Sequence, residues 1–150
     1  LERNGKGHLV TLEIDPGRAE EARQHLAAED LSHRVNVLEV PALEYLNEAK
    51  DPPRMSIDFA LLVTPIPLRL AELHALTPHL APGAVVCIHD TNPAHPMRDG
   101  VNLLDDLRAV PGFTVLHLPS PRGLTVMQWE GNDKDEGLRT PASESNTKAL

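Results

Sequence analysis

Alternation is the feature that most constrains this chain: four short apolar, β-branched runs, each followed by a segment of helical period. The runs are His8 to Ile14, Val35 to Val40, Ile57 to Val63 and Ala84 to Ile88. The helical segments run from about Pro16 to Glu29, Ala42 to Ala49, Leu68 to Leu80 and Gly100 to Ala109. Strand and helix in strict turn specify right-handed βαβ units, hence a parallel sheet with helices on both faces. After Pro111-Gly112 the period becomes alternating. Phe113 to Leu118 and Leu124 to Glu130 flank Pro119-Ser120-Pro121-Arg122-Gly123 and read as an antiparallel hairpin.

Local signals punctuate the helices. Ala19, Ala22 and Leu26 form the stripe of the first, Leu43, Leu46 and Ala49 that of the second, and Val101, Leu104 and Leu107 that of the last. Asp51-Pro52-Pro53 stops the second helix, Pro78 kinks or restarts the third, Ala81-Pro82-Gly83 ends it, and Asp99 is the expected cap of the fourth. Ile57 to Val63 is the most uniformly apolar run and the expected central strand. Leu1 to Gly7 reads as the last turn of a preceding helix, closed by Gly5 or Gly7. A single α/β domain over 1–130 is expected, with a polar, disordered tail over 131–150.

Net charge narrows the function. Fourteen basic against 22 acidic residues give −8, with the basic residues scattered, which argues against a nucleic-acid or anionic-membrane surface. No stretch reaches the roughly 20 apolar residues of a membrane span. Cys87 is the only cysteine, so no internal disulfide can form, and a buried free thiol in the cytoplasm is expected.

The stretch from His8 to Pro16 ends in two carboxylates. Asp15 before Pro16 is a plain helix start, aspartate as N-cap and proline at the first helical position. That leaves Glu13 as the ligand candidate, because open α/β sheets bind ligands at the carboxyl ends of their strands. His89-Asp90 closes the fourth run. His89 could accept a proton and Asp90 could orient it, or Asp90 and Thr91 could merely satisfy loop backbone groups. His95 beside them matches no zinc-ligand spacing. His25, His33, His74, His79 and His117 read as surface or core-edge residues, and Met127 and Trp129 as core.

Four stretches then carry a resemblance: Val10-Thr11-Leu12-Glu13-Ile14-Asp15-Pro16 with Ala22-Arg23; Arg34-Val35-Asn36-Val37; Ile57-Asp58-Phe59; and Leu80-Ala81-Pro82-Gly83-Ala84-Val85-Val86 leading to His89-Asp90. In this order, over about residues 5 to 130, they resemble the class I S-adenosylmethionine-dependent methyltransferases. The likeness is to the small-molecule O-methyltransferases related to catechol O-methyltransferase. The resemblance implies a Rossmann-like, mostly parallel sheet with a C-terminal antiparallel hairpin. It implies S-adenosylmethionine as cofactor and methyl transfer to an oxygen of a small molecule. It puts Glu13 on the ribose hydroxyls, with Ile14, Pro41, Ala42, Val63 and Thr64 lining the cofactor site and His89 and Asp90 at the reacting groups.

Three departures accompany it. The family's first strand and glycine-rich turn belong before Leu1, and nothing in Leu1 to Gly7 replaces them, so a fragment lacking that strand is expected, active only if a longer parent supplies it. Val63 stands where the metal-dependent branch has an aspartate ligand, and Thr64-Pro65-Ile66-Pro67 where it has a lysine base, so no catalytic magnesium is expected. Val40-Pro41-Ala42-Leu43 at the adenine edge offers apolar contact without a polar side chain. Two other classes fit the alternation: a non-catalytic binding or scaffold module, and an NAD(P)-binding oxidoreductase domain, against which the hairpin argues. A homodimer is compatible with every one of these readings.

Overall fold

A computed structural model describes residues 6–48, 56–94 and 102–131. They cluster into two compact units, one from the described residues of Leu1–Ser56 and Thr64–His79, the other from Ile57–Val63 and the described residues of Leu80–Leu150.

In the first unit β1 (Leu9–Leu12) pairs in parallel with β2 (Val35–Leu38), Leu9 opposite Val35 and Leu12 opposite Leu38. Between them runs α1 (Pro16–Ala28), which starts where the sequence predicts. The Asp15 carboxylate accepts from the Gly17 and Arg18 amides at 2.8 and 3.0 Å and Pro16 takes the first turn, satisfying helix N–H groups that have no partner inside the helix. Ala19 is fully buried, and Arg23 ties the helix to β2 by donating to the Val37 carbonyl at 3.0 Å and to Glu39 at 2.6 Å. The sequence suggested a first strand covered on both faces. Leu9 and Val10 are instead exposed and Ile14 is 71% exposed.

The short helix α2 (Ala42–Glu48) packs against α3 (Ile66–Leu76), burying Leu46, Leu73 and Leu76. In place of a kink at Pro78, α3 ends and one 3-10 turn follows over Thr77–His79, since proline cannot donate the next helical hydrogen bond. His79 is buried there, its Nε2 3.3 Å from the Leu46 carbonyl. The predicted stop at Asp51-Pro52-Pro53, the predicted cap Asp99, His95 and the tail over 132–150 lie outside the described residues.

The second unit holds β3 (Ile57–Leu62), β4 (Leu80–His89), β5 (Phe113–Leu118) and β6 (Leu124–Trp129) in the order β3-β4-β6-β5. β3 and β4 are parallel; β4 with β6 and β5 with β6 are antiparallel. The hairpin therefore forms as read. The expected central strand, β3, is at one end of this sheet, and β4 and β6 are its inner strands. Uniform apolarity misled because it reports side chains on two faces and says nothing about edges.

Ala81-Pro82-Gly83 is part of β4, not a helix stop. The two-residue step from Ile57 to Phe59 is matched by a five-residue step from Leu80 to Val85. Such a bulge is where a strand tolerates a proline, which has no N–H for the ladder, and a glycine with φ 83°. The helix α4 (Leu103–Ala109) is capped by Asn102 and buries Leu103, Leu104 and Leu107.

One face of this sheet is closed and one is open. Leu62, Val86, Ile88, Met127 and Trp129 are buried, whereas Phe59, Leu61, Val63, Leu116 and Leu118 are exposed. Leu61, Cys87, Val126 and Leu116 stand side by side across the four strands, forming one apolar row of the open face.

Candidate functional site

Glu13 directly follows β1, and its amide donates to the Leu38 carbonyl at 3.0 Å, continuing the pairing one residue beyond the strand. Its Oε1 accepts from the Asp15 amide at 2.9 Å. That bond fixes the half-buried carboxylate beside the turn into α1, and Oε2 takes no hydrogen bond from the described residues. A carboxylate has about four lone-pair sites, so an oxygen remains for an incoming hydroxyl. Because β1 and β2 are parallel and in register, Pro41 and Ala42, after β2, share the sheet edge with Glu13 and Ile14. Pro41 is exposed, Ala42 opens α2, and Ile14 offers an uncovered apolar side chain. An acid with an available oxygen beside small apolar groups suits a sugar diol joined to a flat ring.

Also in the first unit, Thr64 is held at two points. Its hydroxyl donates to Glu72 Oε2, and its carbonyl accepts from Arg69 Nε at 2.7 Å. Both partners lie in α3 and are 2% exposed. Sequence reading missed them, although two charges one turn apart in a leucine-rich helix are a signal, since charges are rarely fully buried unless partnered.

In the second unit, Val63 follows β3 at the edge where β4 delivers His89, Leu62 lying opposite Ile88. Val63 is 62% exposed, and its side chain has no atom that could bind a cation. Asp90, the next residue after β4, has φ 56°, a left-handed conformation uncommon outside glycine. Arg122, in the turn between β5 and β6, grips its carboxylate at two points: Nε to Oδ1 at 2.5 Å and Nη2 to Oδ2 at 3.0 Å. The carboxylate in turn holds the Arg122 guanidinium charged to higher pH than usual. His89 Nδ1 is 3.2 Å from Asp90 Oδ1. Asp90 is thus a largely buried side chain held in an ion pair.

The β5–β6 turn is itself anchored. Asn92 donates its amide to the Arg122 carbonyl at 3.0 Å and its side chain to the Pro121 carbonyl at 3.0 Å, while the Thr91 amide reaches the Gly123 carbonyl. Beneath lies a polar knot: the Thr125 hydroxyl donates to that of Thr91 at 2.8 Å, and His117 Nδ1 is within 3.4 Å of both hydroxyls. Thr91 and Thr125 are fully buried.

A cavity of about 560 Å³ opens on α1 and β2, lined by residues including Glu20, Arg23, Leu26 and Asn36, and none of the candidate residues lines it. Among the described residues no three His, Cys, Asp or Glu side chains converge as a metal site, and no helix is long and apolar enough to cross a membrane.

A family model described as a methyltransferase domain matches residues 1–91. A sequence search of curated proteins matches none. Among solved structures, a protein from Corynebacterium glutamicum superposes with a TM-score of 0.70 at 18% identity, over 83% of this chain and 62% of that one. An O-methyltransferase from Bacillus cereus, solved in complex with SAH, gives 0.69 at 19% identity over 82% and 63%. The O-methyltransferase TomG from Streptomyces achromogenes, involved in tomaymycin synthesis and solved with SAM, gives 0.67 at 22% identity over 83% and 63%. The chain therefore spans under two thirds of the length of these structural relatives, and at such identities the likeness shows the fold.

Proposed function

The chain belongs to the methyltransferase-domain family, and from that premise we propose that it transfers a methyl group from S-adenosylmethionine to an oxygen of a small molecule without a metal ion. The observation that carries the proposal is Glu13: an acid ending a parallel strand, held by the Asp15 amide through one oxygen with the second available to a ligand. The B. cereus relative with SAH and TomG with SAM support the choice of cofactor.

The cofactor supplies a methyl group on a sulfonium centre. Glu13 accepts hydrogen bonds from its ribose, and Ile14, Pro41 and Ala42 contribute apolar surface at the ends of β1 and β2. His89 takes the proton of the attacking hydroxyl, a role neutral imidazole suits because one ring nitrogen carries an accepting lone pair. Asp90 orients His89. The metal-free reading rests on ligand chemistry: the Val63 side chain offers no donor, and the Asp90 carboxylate is already paired with the cationic Arg122.

Calorimetric binding of S-adenosylhomocysteine to the protein and to Glu13→Ala tests this. Charge-assisted hydrogen bonds are worth about 1.5–3 kcal/mol each, so losing one weakens binding roughly 10- to 100-fold. Unchanged affinity removes Glu13 from the site. A protein that binds no S-adenosylhomocysteine at all is a scaffold module instead.

A further inference from the structure

We propose that Arg122 is a positioning residue: through Asp90 it fixes the tautomer of His89, so that Nδ1 bears the hydrogen and Nε2 the lone pair. The catalytic meaning of this rests on the reading of His89 as proton acceptor; the tautomer itself does not.

The argument begins with the carboxylate. A guanidinium is charged at all accessible pH and presents donors in a rigid plane, so a two-point pair keeps Asp90 ionised and sets the rotation of its carboxyl group. A side chain on left-handed backbone is aimed differently from one on a continuing strand, and Asp90 is 13% exposed, so little solvent competes for its oxygens. An ionised carboxylate only accepts hydrogen bonds. Oδ1, 3.2 Å from His89 Nδ1, therefore favours hydrogen on that nitrogen. In neutral imidazole one nitrogen carries the hydrogen and the other the lone pair, so Nε2 becomes the basic atom.

The guanidinium can do this only if its own backbone is fixed. Asn92, two residues past Asp90, bonds the carbonyls of Pro121 and Arg122, and Gly123 lies so close that a Cβ there would stand 2.2 Å from the Asn92 nitrogen. The turn carrying Arg122 is thus fastened to the segment carrying Asp90 by contacts independent of the ion pair.

Long-range ¹H–¹⁵N spectra of the histidine-labelled 150-residue chain, recorded with the His89 ring neutral, test the assignment. The expected wild-type pattern for His89 is hydrogen on Nδ1. In Arg122→Gln the pattern moves toward the Nε2–H form common in unconstrained imidazole, and Arg122→Lys, which keeps the charge without the two-point geometry, moves part of the way. A wild-type Nε2–H pattern, or one unchanged in both variants, overturns the proposal. Should Arg122→Gln fail to fold, Arg122→Lys alone decides it by the same readout. In methyl-transfer assays kcat for Arg122→Gln falls on the order of tenfold or more with KM for the acceptor little changed, a part of the roughly 10²- to 10⁴-fold that a general base contributes. A shifted tautomer with unchanged kcat upholds the positioning of His89 and refutes only its role as the base.

Discussion

Gly123→Ala gives the most direct measure of how closely the β5–β6 turn sits against the end of β4. Gly123 has φ 79°, and an added Cβ would lie 2.2 Å from the Asn92 nitrogen and 2.8 Å from the Asn92 Cα and the Thr91 carbonyl carbon. All three are backbone atoms, so no rotamer change relieves the collision. Gly83 supplies the control, because its φ is 83° and nothing lies within 4 Å of a Cβ built there. Left-handed backbone costs a residue with a Cβ about 1–2 kcal/mol, partly offset by about 0.4–1 kcal/mol from a less flexible unfolded chain. Gly83→Ala should therefore destabilise by about 1 kcal/mol. Gly123→Ala adds an overpacking term of about 1–3 kcal/mol, for a total of about 2–4 kcal/mol. With a urea dependence of about 2 kcal/mol per molar, its unfolding midpoint should fall about 1 M below that of Gly83→Ala. Equal midpoints for the two variants would mean that the turn does not approach Asn92 and that the anchoring of Arg122 is wrong.

Two further outcomes can be checked on the same chain. Asp15→Ala removes both capping bonds to α1 and should cost about 0.5–2 kcal/mol, with Asp15→Asn recovering most of it; urea unfolding with no change for Asp15→Ala would return the helix start to Pro16 alone. Burial pushes the Cys87 thiol above its usual value of 9.0, so the protonated form is favoured by folding. That contribution is complete below pH 9 and is lost as pH rises through the folded-state pKa; iodoacetamide should accordingly label native Cys87 more slowly than the urea-unfolded chain near pH 8.5, and equal rates would contradict it.

Much of this architecture is legible in local pattern. The Asp15-Pro16 start, the alternation of runs and helices, and the proline- and glycine-marked turn at Pro119 to Gly123 are decided by neighbours in sequence, so the sequence reveals them. What it hides depends on distant partners. Apolar β1 and β3 look alike as strings, yet their edges depend on which strands lie beside them, so β3 was misplaced at the centre. The Arg122–Asp90 pair joins residues 32 apart in sequence, and an arginine in a polar turn carries no mark of a partner. Arg69 and Glu72 could have been flagged by their apolar surroundings, whereas their common target, Thr64, could not. For the candidate site, Glu13 and His89-Asp90 were visible as chemistry at strand ends; the clamp around Asp90 was not.

The composition of β3 has a consequence for the life of the chain in solution. Ile57-Asp58-Phe59-Ala60-Leu61-Leu62 combines strong β-propensity with one charge and neither proline nor glycine, and Phe59 and Leu61 are more than half exposed. A six-residue segment of that composition favours cross-β stacking once its backbone is exposed, and Asp58 is its one charge. Asp58→Asn removes the one repulsive charge between two such segments and is expected to speed aggregation of the chain followed by light scattering; an unchanged rate refutes that role.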